Sequence, residues 1–320
     1  MKKNLFALGF MICSLTMMGQ SDTKESWYFK VGGSYFTQTA ATEFPTVGGQ
    51  LANRDIYVGT LGGNKLDSRE SVTGSFGEGF RTGITAGYRF NQRLGVEMGV
   101  NYYTSNSKTM AQTTDRLVSY NPASSPAATY LSFTAEGQIK AFDLAPAIVL
   151  FLGESNGFEP YTKVGVIVPV YGTLDIKTNR NYSTFVGATQ LANTEAYSKD
   201  VVKPNPTVGF MSALGTSYKL GKNISAFAEL EYRNFTVHGK TKETTIYTEN
   251  GVDKLNTPTN FRQDASYSAI HSNYVKQING NSNSQVTNAA NFDNTKADDD
   301  ISSYVGISGL GLTLGLKYSL

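Results

Sequence analysis

The residues able to do chemistry are few, and their spacing limits what they can do. His238 and His271 are the whole supply of imidazole in 320 residues, and Cys13 is the single thiol. Nucleophilic acyl chemistry needs a histidine, a serine and an orienting acid held together on firm elements. His238 is followed by Gly239 and Lys240, while His271 precedes Ser272 inside a long polar stretch with no strand pattern to hold either. One cysteine permits no internal disulfide and no thiolate metal site. Asp298, Asp299 and Asp300, with Asp293 and Asn294 upstream, lack the 12-residue spacing and central glycine of a calcium loop. Gly48-Gly49 and Gly62-Gly63 precede no Lys-Ser/Thr pair, so they read as turns and not as a phosphate cradle. The expectation is a chain with no catalytic, cofactor or metal residues.

A second set of charged residues is more informative: Lys30, Glu97, Asp143, Lys163, Glu229, Glu231 and Arg233. Both signs are present, so they can pair. Pairing requires elements that aim them at one another, and the sequence shows those elements as a period of two.

Trp27, Phe29, Val31, Tyr35 and Thr37 alternate with Lys30, Gly32 and Ser34. Phe80, Thr82, Ile84, Ala86, Tyr88 and Phe90 face away from Arg81, Gly83, Thr85, Gly87 and Arg89, and Leu94 to Tyr102 repeats the pattern against Gly95, Glu97, Gly99 and Asn101. Further segments centre on Leu144, Val166, Leu214 and Leu230, and the last sets Leu310, Leu312, Leu314, Leu316, Tyr318 and Leu320 against Gly309, Gly311, Thr313, Gly315, Lys317 and Ser319. That makes eight half-apolar strands. The apolar rows match the roughly 9–11 residues that a tilted strand needs to cross a bilayer. Aromatics stand near segment ends, namely Trp27, Phe29, Tyr35, Phe80, Tyr88, Phe90, Tyr102, Tyr218 and Tyr318, as the girdle at two water–lipid interfaces requires. The seven charges above all fall on the opposite, glycine-rich faces. A lysine or arginine facing lipid at mid-depth would cost roughly 2–4 kcal/mol, so the charged faces belong inside.

The connections alternate in length. Long gaps run over about 39–78, 105–138, 172–206 and 237–304, and the short ones are 91–93, 153–157 and 221–223. This order predicts an all-β, eight-stranded antiparallel up-and-down transmembrane β-barrel, with both termini on the short-turn, periplasmic side and the four long loops extracellular. The last strand must pair with the first, because hydrocarbon satisfies no open edge. An eight-stranded lumen is nearly filled by side chains. The seven charges then read as an ion-pair network that plugs it. Prolines at Pro146 and Pro169 predict a bulge or local bend in the fourth and fifth strands.

The first twenty residues carry the basic start Met1-Lys2-Lys3, an apolar stretch from Leu5 to Met18 and small or polar residues at Gly19-Gln20-Ser21. This predicts a signal peptide over 1–20, Cys13 included, and a single mature domain over 21–320. Loss of Lys2 and Lys3 leaves 26 basic against 26 acidic residues, a balance with no electrostatic case for nucleic acid. No later stretch of 18 apolar residues suits a membrane helix. Charged residues are only 17% of the chain and apolar ones 40%, which excludes disorder of the whole.

Three segments carry a family likeness: Gly79 to Phe90 (GFRTGITAGYRF), Glu159 to Gly165 (EPYTKVG) and Ala228 to Arg233 (AELEYR), completed by the strand ending at Leu320. They resemble the small outer-membrane β-barrel proteins of diderm bacteria, the OmpX-like proteins and the transmembrane half of OmpA-like proteins. The likeness covers the strands, about a third of the chain. It implies outer-membrane lipid and lipopolysaccharide as surroundings, assembly by the barrel-assembly machinery through the C-terminal strand, and a monomer. Such proteins usually end on an aromatic residue, whereas here Tyr318 stands two positions before Leu320. No peptidoglycan-binding domain is expected beyond the eighth strand. The function expected is that of a non-catalytic structural or surface-interaction protein, with an extracellular ligand left unnamed. The alternatives are a narrow porin-like channel gated by the lumen ion pairs, and a lipid-modifying enzyme or soluble lipocalin-like carrier.

Overall fold

A computed structural model describes residues 26–60, 63–121, 125–205 and 207–320; the leader expected over 1–20 lies outside them. The fold is all-β, mostly antiparallel and barrel-like. Eight strands follow one another in a ring: β1 (Ser26–Gln38), β2 (Gly79–Arg89), β3 (Leu94–Ser105), β4 (Ser125–Phe151), β5 (Phe158–Val186), β6 (Gly209–Lys219), β7 (Ile224–Asn234) and β8 (Gly309–Ser319). Each pairs antiparallel with the next. The ring closes where β8 meets β1, from Tyr28↔Ser319 to Gln38↔Gly309. Three connections are tight turns. In the first, the Asn91 side chain accepts from the backbone N–H groups of Arg93 and Leu94. In the second, Gly153, Asn156 and Gly157 all take positive φ, a conformation open to Gly and tolerated by Asn.

Outside the ring the side chains are apolar, with Leu312 54% and Leu314 58% exposed beside Val31, Ile84, Ile148, Val164, Val166 and Leu230. Two aromatic belts bound this band. Near the short turns, Trp27 meets Tyr88 at 5.0 Å, Tyr88 meets Phe90, and Phe158 meets Tyr218, with Phe29 opposite Tyr318 across the β1–β8 seam. At the other end Tyr35 meets Phe80 at 4.9 Å and Tyr102 meets Phe142 at 4.8 Å. Eight residue steps separate Trp27 from Tyr35. They amount to about 26 Å of strand, or about 20 Å along the normal at a tilt near 40°, close to the roughly 25 Å apolar band of an outer-membrane barrel.

The stretches expected as long loops are largely strand. β4 starts at Ser125 and β5 runs to Val186, so both continue far beyond the apolar band. Lys108–Asn121 pairs with the extended part of β4, Thr189–Asn205 with that of β5, and Thr236–Glu249 with Thr189–Asn205. Tyr304–Gly306 and His271–Val275 add to Thr236–Glu249, and Asp298–Ile301 runs parallel to His271–Val275. On the opposite flank Asn53–Thr60 lies parallel to Lys108–Asn121 and antiparallel to Gly63–Ser71. Inside this extension Phe36, Phe44, Phe76, Met110, Phe133, Ile139, Leu174, Ile176, Val202, Val237, Val305 and Ile307 form one apolar core. The segment Asn279 to Ser284 is held by Asn283. Its side chain donates to the carbonyls of Asp293 and Ala297.

The two prolines behave differently. The β4–β5 register shifts between Pro169 and Tyr171. At Pro146 no register shift occurs. The ladder to β3 runs through Met98↔Pro146, and that to β5 skips from Gly165↔Ala147 to Val168↔Leu144 in unchanged register. The missing N–H therefore costs β4 bonds toward one neighbour only.

Candidate lumen charge network

Every second residue of a ring strand points inward, and the inward rows converge in three charged layers. In the middle layer Lys30, Glu97, Lys163 and Glu229 come from β1, β3, β5 and β7, so alternate strands supply alternate charges. Lys30 Nζ lies 2.5 Å from Glu97 Oε1 and 3.1 Å from Glu229 Oε1. Lys163 Nζ lies 2.6 Å from Glu229 Oε2 and 3.6 Å from Glu97 Oε2. Each cation thus bridges both carboxylates. The Tyr28 hydroxyl donates to Glu97 Oε1 at 3.1 Å and the Tyr161 hydroxyl to Glu229 Oε1 at 2.7 Å. Glycine makes these reaches possible. A Cβ at Gly87 would come within 2.2 Å of the Tyr28 ring, and one at Gly215 within 2.6 Å of the Tyr161 ring.

The layer toward the extension is built on arginine. Arg81 holds Glu231 with two parallel bonds of 2.5 and 2.7 Å, the fork geometry that suits guanidinium and carboxylate. The Arg81 guanidinium also donates to the hydroxyls of Ser34 and Thr313. Arg233 donates to Asp143 Oδ2 at 2.7 Å, and Asn101 donates to Asp143 Oδ1 at 2.8 Å. The Arg233 Nε lies 3.9 Å from Glu231 and lacks a hydrogen-bond acceptor. Near the short turns, Glu159 takes Arg89 at 2.6 Å and Lys317 at 3.2 Å. Glu231 is fully buried, and Lys30, Glu97, Asp143, Glu229 and Arg233 nearly so. Between the middle layer and the Arg81–Glu231 pair remains a cavity of about 40 Å³, room for a few waters.

All seven charges singled out from sequence therefore meet in the lumen. Arg81, Arg89, Glu159 and Lys317 join them. The parity that points Lys30 inward also covers Arg81, Arg89 and Lys317, whereas Glu159 precedes the apolar row of its strand and carries no such mark.

The remaining candidates lie in the extension. His238 Nδ1 is 3.1 Å from the Asn205 amide nitrogen and 3.3 Å from the Ser302 hydroxyl. His271 stacks on Tyr267 at 3.9 Å, and its Nε2 is 4.0 Å from Glu243. His271 and Ser272 do sit on a strand, His271–Val275, contrary to the expectation of an unsupported loop, because Thr236–Glu249 extends far enough to pair with it. Asp298 to Asp300 lie along the strand Asp298–Ile301, where successive side chains alternate in direction. Burial and the neighbouring Asp300 and Asp299 raise the Asp298 pKa, while hydrogen bonds from Thr295 and Lys296 hold Asp293 at about 2. In Gly63–Ser71, Arg69 clamps Asp55 with two 2.8 Å bonds and lowers its pKa.

A family model described as the outer membrane protein beta-barrel domain matches residues 34–267. Among solved structures, the chain is similar to the outer membrane protein OprG from Pseudomonas aeruginosa. The match covers 94% of this chain and 98% of that one, at 10% identity and a TM-score of 0.40. No curated protein matches.

Proposed function

The chain belongs to the outer membrane protein beta-barrel domain family, and from that premise we propose that it is an integral outer-membrane protein without catalysis, a plugged eight-stranded up-and-down barrel that carries a folded extracellular sheet. The observation that carries this reading is the lumen: the layer of Lys30, Glu97, Lys163 and Glu229 and the Arg81–Glu231 pair leave between them a cavity of only about 40 Å³. A buried ion-pair network that fills the lumen obstructs passage. The short turns then face the periplasm with both chain ends, and the extension stands outside the cell as a surface for recognition. Outer-leaflet lipid, lipopolysaccharide included, surrounds the apolar band. The mature chain acts as a monomer after loss of its leader, inserted by the barrel-assembly machinery through β8.

Planar-bilayer recording of the refolded protein tests the plug. The expected result is no unitary conductance across ±100 mV. Stepwise openings of the unmodified protein would overturn it in favour of the gated narrow channel.

A further inference from the structure

The wall of the barrel has a gap. On its β6 side, β5 pairs as far as Ile167↔Gly209, and pairing resumes with Thr189–Asn205 at Leu174↔Val202. Among the described residues, positions 168–173 of β5 have no ladder partner on that side. The register shift between Pro169 and Tyr171 falls inside this interval, and neither Pro169 nor Pro204 has an N–H with which to close it. A cavity of about 290 Å³ opens there, walled by Ile139, Leu174, Val202, Val237 and Ile307 from the apolar core and reaching Val170 and Tyr171 on the outer surface. Tyr171 pairs with Phe142 of the outer aromatic belt, so the gap stands at the level of the outer lipid interface. Its floor is the Arg233–Asp143 pair.

We infer that this cavity binds a single acyl chain with a carboxylate head, a fatty acid that enters from the outer leaflet. Three features select that ligand. The walls are apolar, so a hydrocarbon chain is rewarded along its length. A volume near 290 Å³ stands at the low end of ligand pockets, roughly 300–1,000 Å³, and suits one chain better than the several chains of a membrane lipid. Lys203 and Lys240 line the mouth, both exposed and neither in an ion pair among the described residues. They are placed to hold an anionic head while the chain runs inward. The charged floor stops the chain above the lumen, so the site is a blind pocket. This inference rests on the membrane orientation proposed above.

The test is photolabelling of the full chain in phosphatidylcholine nanodiscs with a diazirine-bearing hexadecanoic acid, the adducts being mapped by mass spectrometry. Adducts should fall on the cavity walls, be displaced by oleate, and drop at least tenfold in Val202→Trp and in the surface double variant Lys203→Glu/Lys240→Glu. Unchanged labelling in both variants, labelling spread over the whole apolar band, or displacement by phosphatidylglycerol as effective as by oleate would overturn the site. Failure of the chain to enter nanodiscs would instead count against the membrane reading.

Discussion

β4 is a single strand with two opposite characters. From Phe142 to Leu150 its outward residues are apolar (Phe142, Leu144, Ile148, Leu150), and its inward ones at Asp143, Ala145 and Ala147 are charged or small. From Ser132 to Lys140 the same outward row reads Ser132, Thr134, Glu136, Gln138 and Lys140, and the same inward row Phe133, Ala135, Gly137 and Ile139. The parity never changes, yet the polarity inverts near Ala141. Backbone pairing is indifferent to what lies outside the wall, whereas side chains are not. Below the inversion the exterior rewards apolar groups and the charges must neutralise one another within. Above it the exterior is water, and the interior is an ordinary hydrophobic core.

The sharpest way to break this contrast is to unbalance the lumen. Glu231→Ala leaves Arg81 buried without its carboxylate, and loss of one partner of a buried pair costs about 3–5 kcal/mol. Urea unfolding of the protein refolded in lipid should show that loss, while Glu136→Ala, on the outer face of the same wall above the inversion, should change stability by less than about 0.5 kcal/mol. Next in size, Leu314→Arg places a charge against mid-depth hydrocarbon and should destabilise by about 2–4 kcal/mol. Thr134→Arg, outward on the extension, should be nearly silent in the same measurement.

The smallest effect concerns pH and separates the two flanks of the extension. Asp55 has a folded pKa lowered first by its hydrogen bonds from Arg69. Its stabilisation is present above the unfolded carboxylate pKa, near 3.9, and is lost as pH falls through that value toward the folded one. Asp298 has a folded pKa raised first by burial. Its folded form binds the proton more readily, so stability declines as pH rises from the unfolded pKa through the folded one. Hydrogen exchange, corrected for the intrinsic rate, should show Asn53–Ser71 losing protection on acidification below pH 4. His271–Val275 and Asp298–Ile301 should instead gain protection above that value, as pH falls toward about 4 and Asp298 takes up its proton. Parallel behaviour of both flanks would refute the assignment.

The membrane part of the fold was legible in sequence because lipid imposes a strict rule: Leu310, Leu312, Leu314 and Leu316 leave no ambiguity about which face is apolar. The lumen charges followed from the same parity. The extension was not legible as strand for the opposite reason. Its outward residues are Ser, Thr, Asn and Lys, its inward row is broken by small residues such as Ala135 and Gly137, and composition alone makes such a stretch look like loop. In β5 the register shift after Pro169 also moves the inward row from odd positions, Tyr161, Lys163 and Ile167, to even ones, Leu174, Ile176 and Thr178. A period-two reading carried across that point therefore fails. Glu159 escaped notice because it lies before the first apolar pair of its strand, and the wall gap because it is a property of three strands meeting, which no single segment records.

Methyl-resolved NMR in nanodiscs whose acyl tails carry nitroxide labels tests the central claim most directly. The account expects strong relaxation of the Leu312, Leu314 and Val166 methyls, with Ile176 and Met211 little affected. Protection of Leu312, Leu314 and Val166 together with relaxation of Ile176 and Met211 would contradict it.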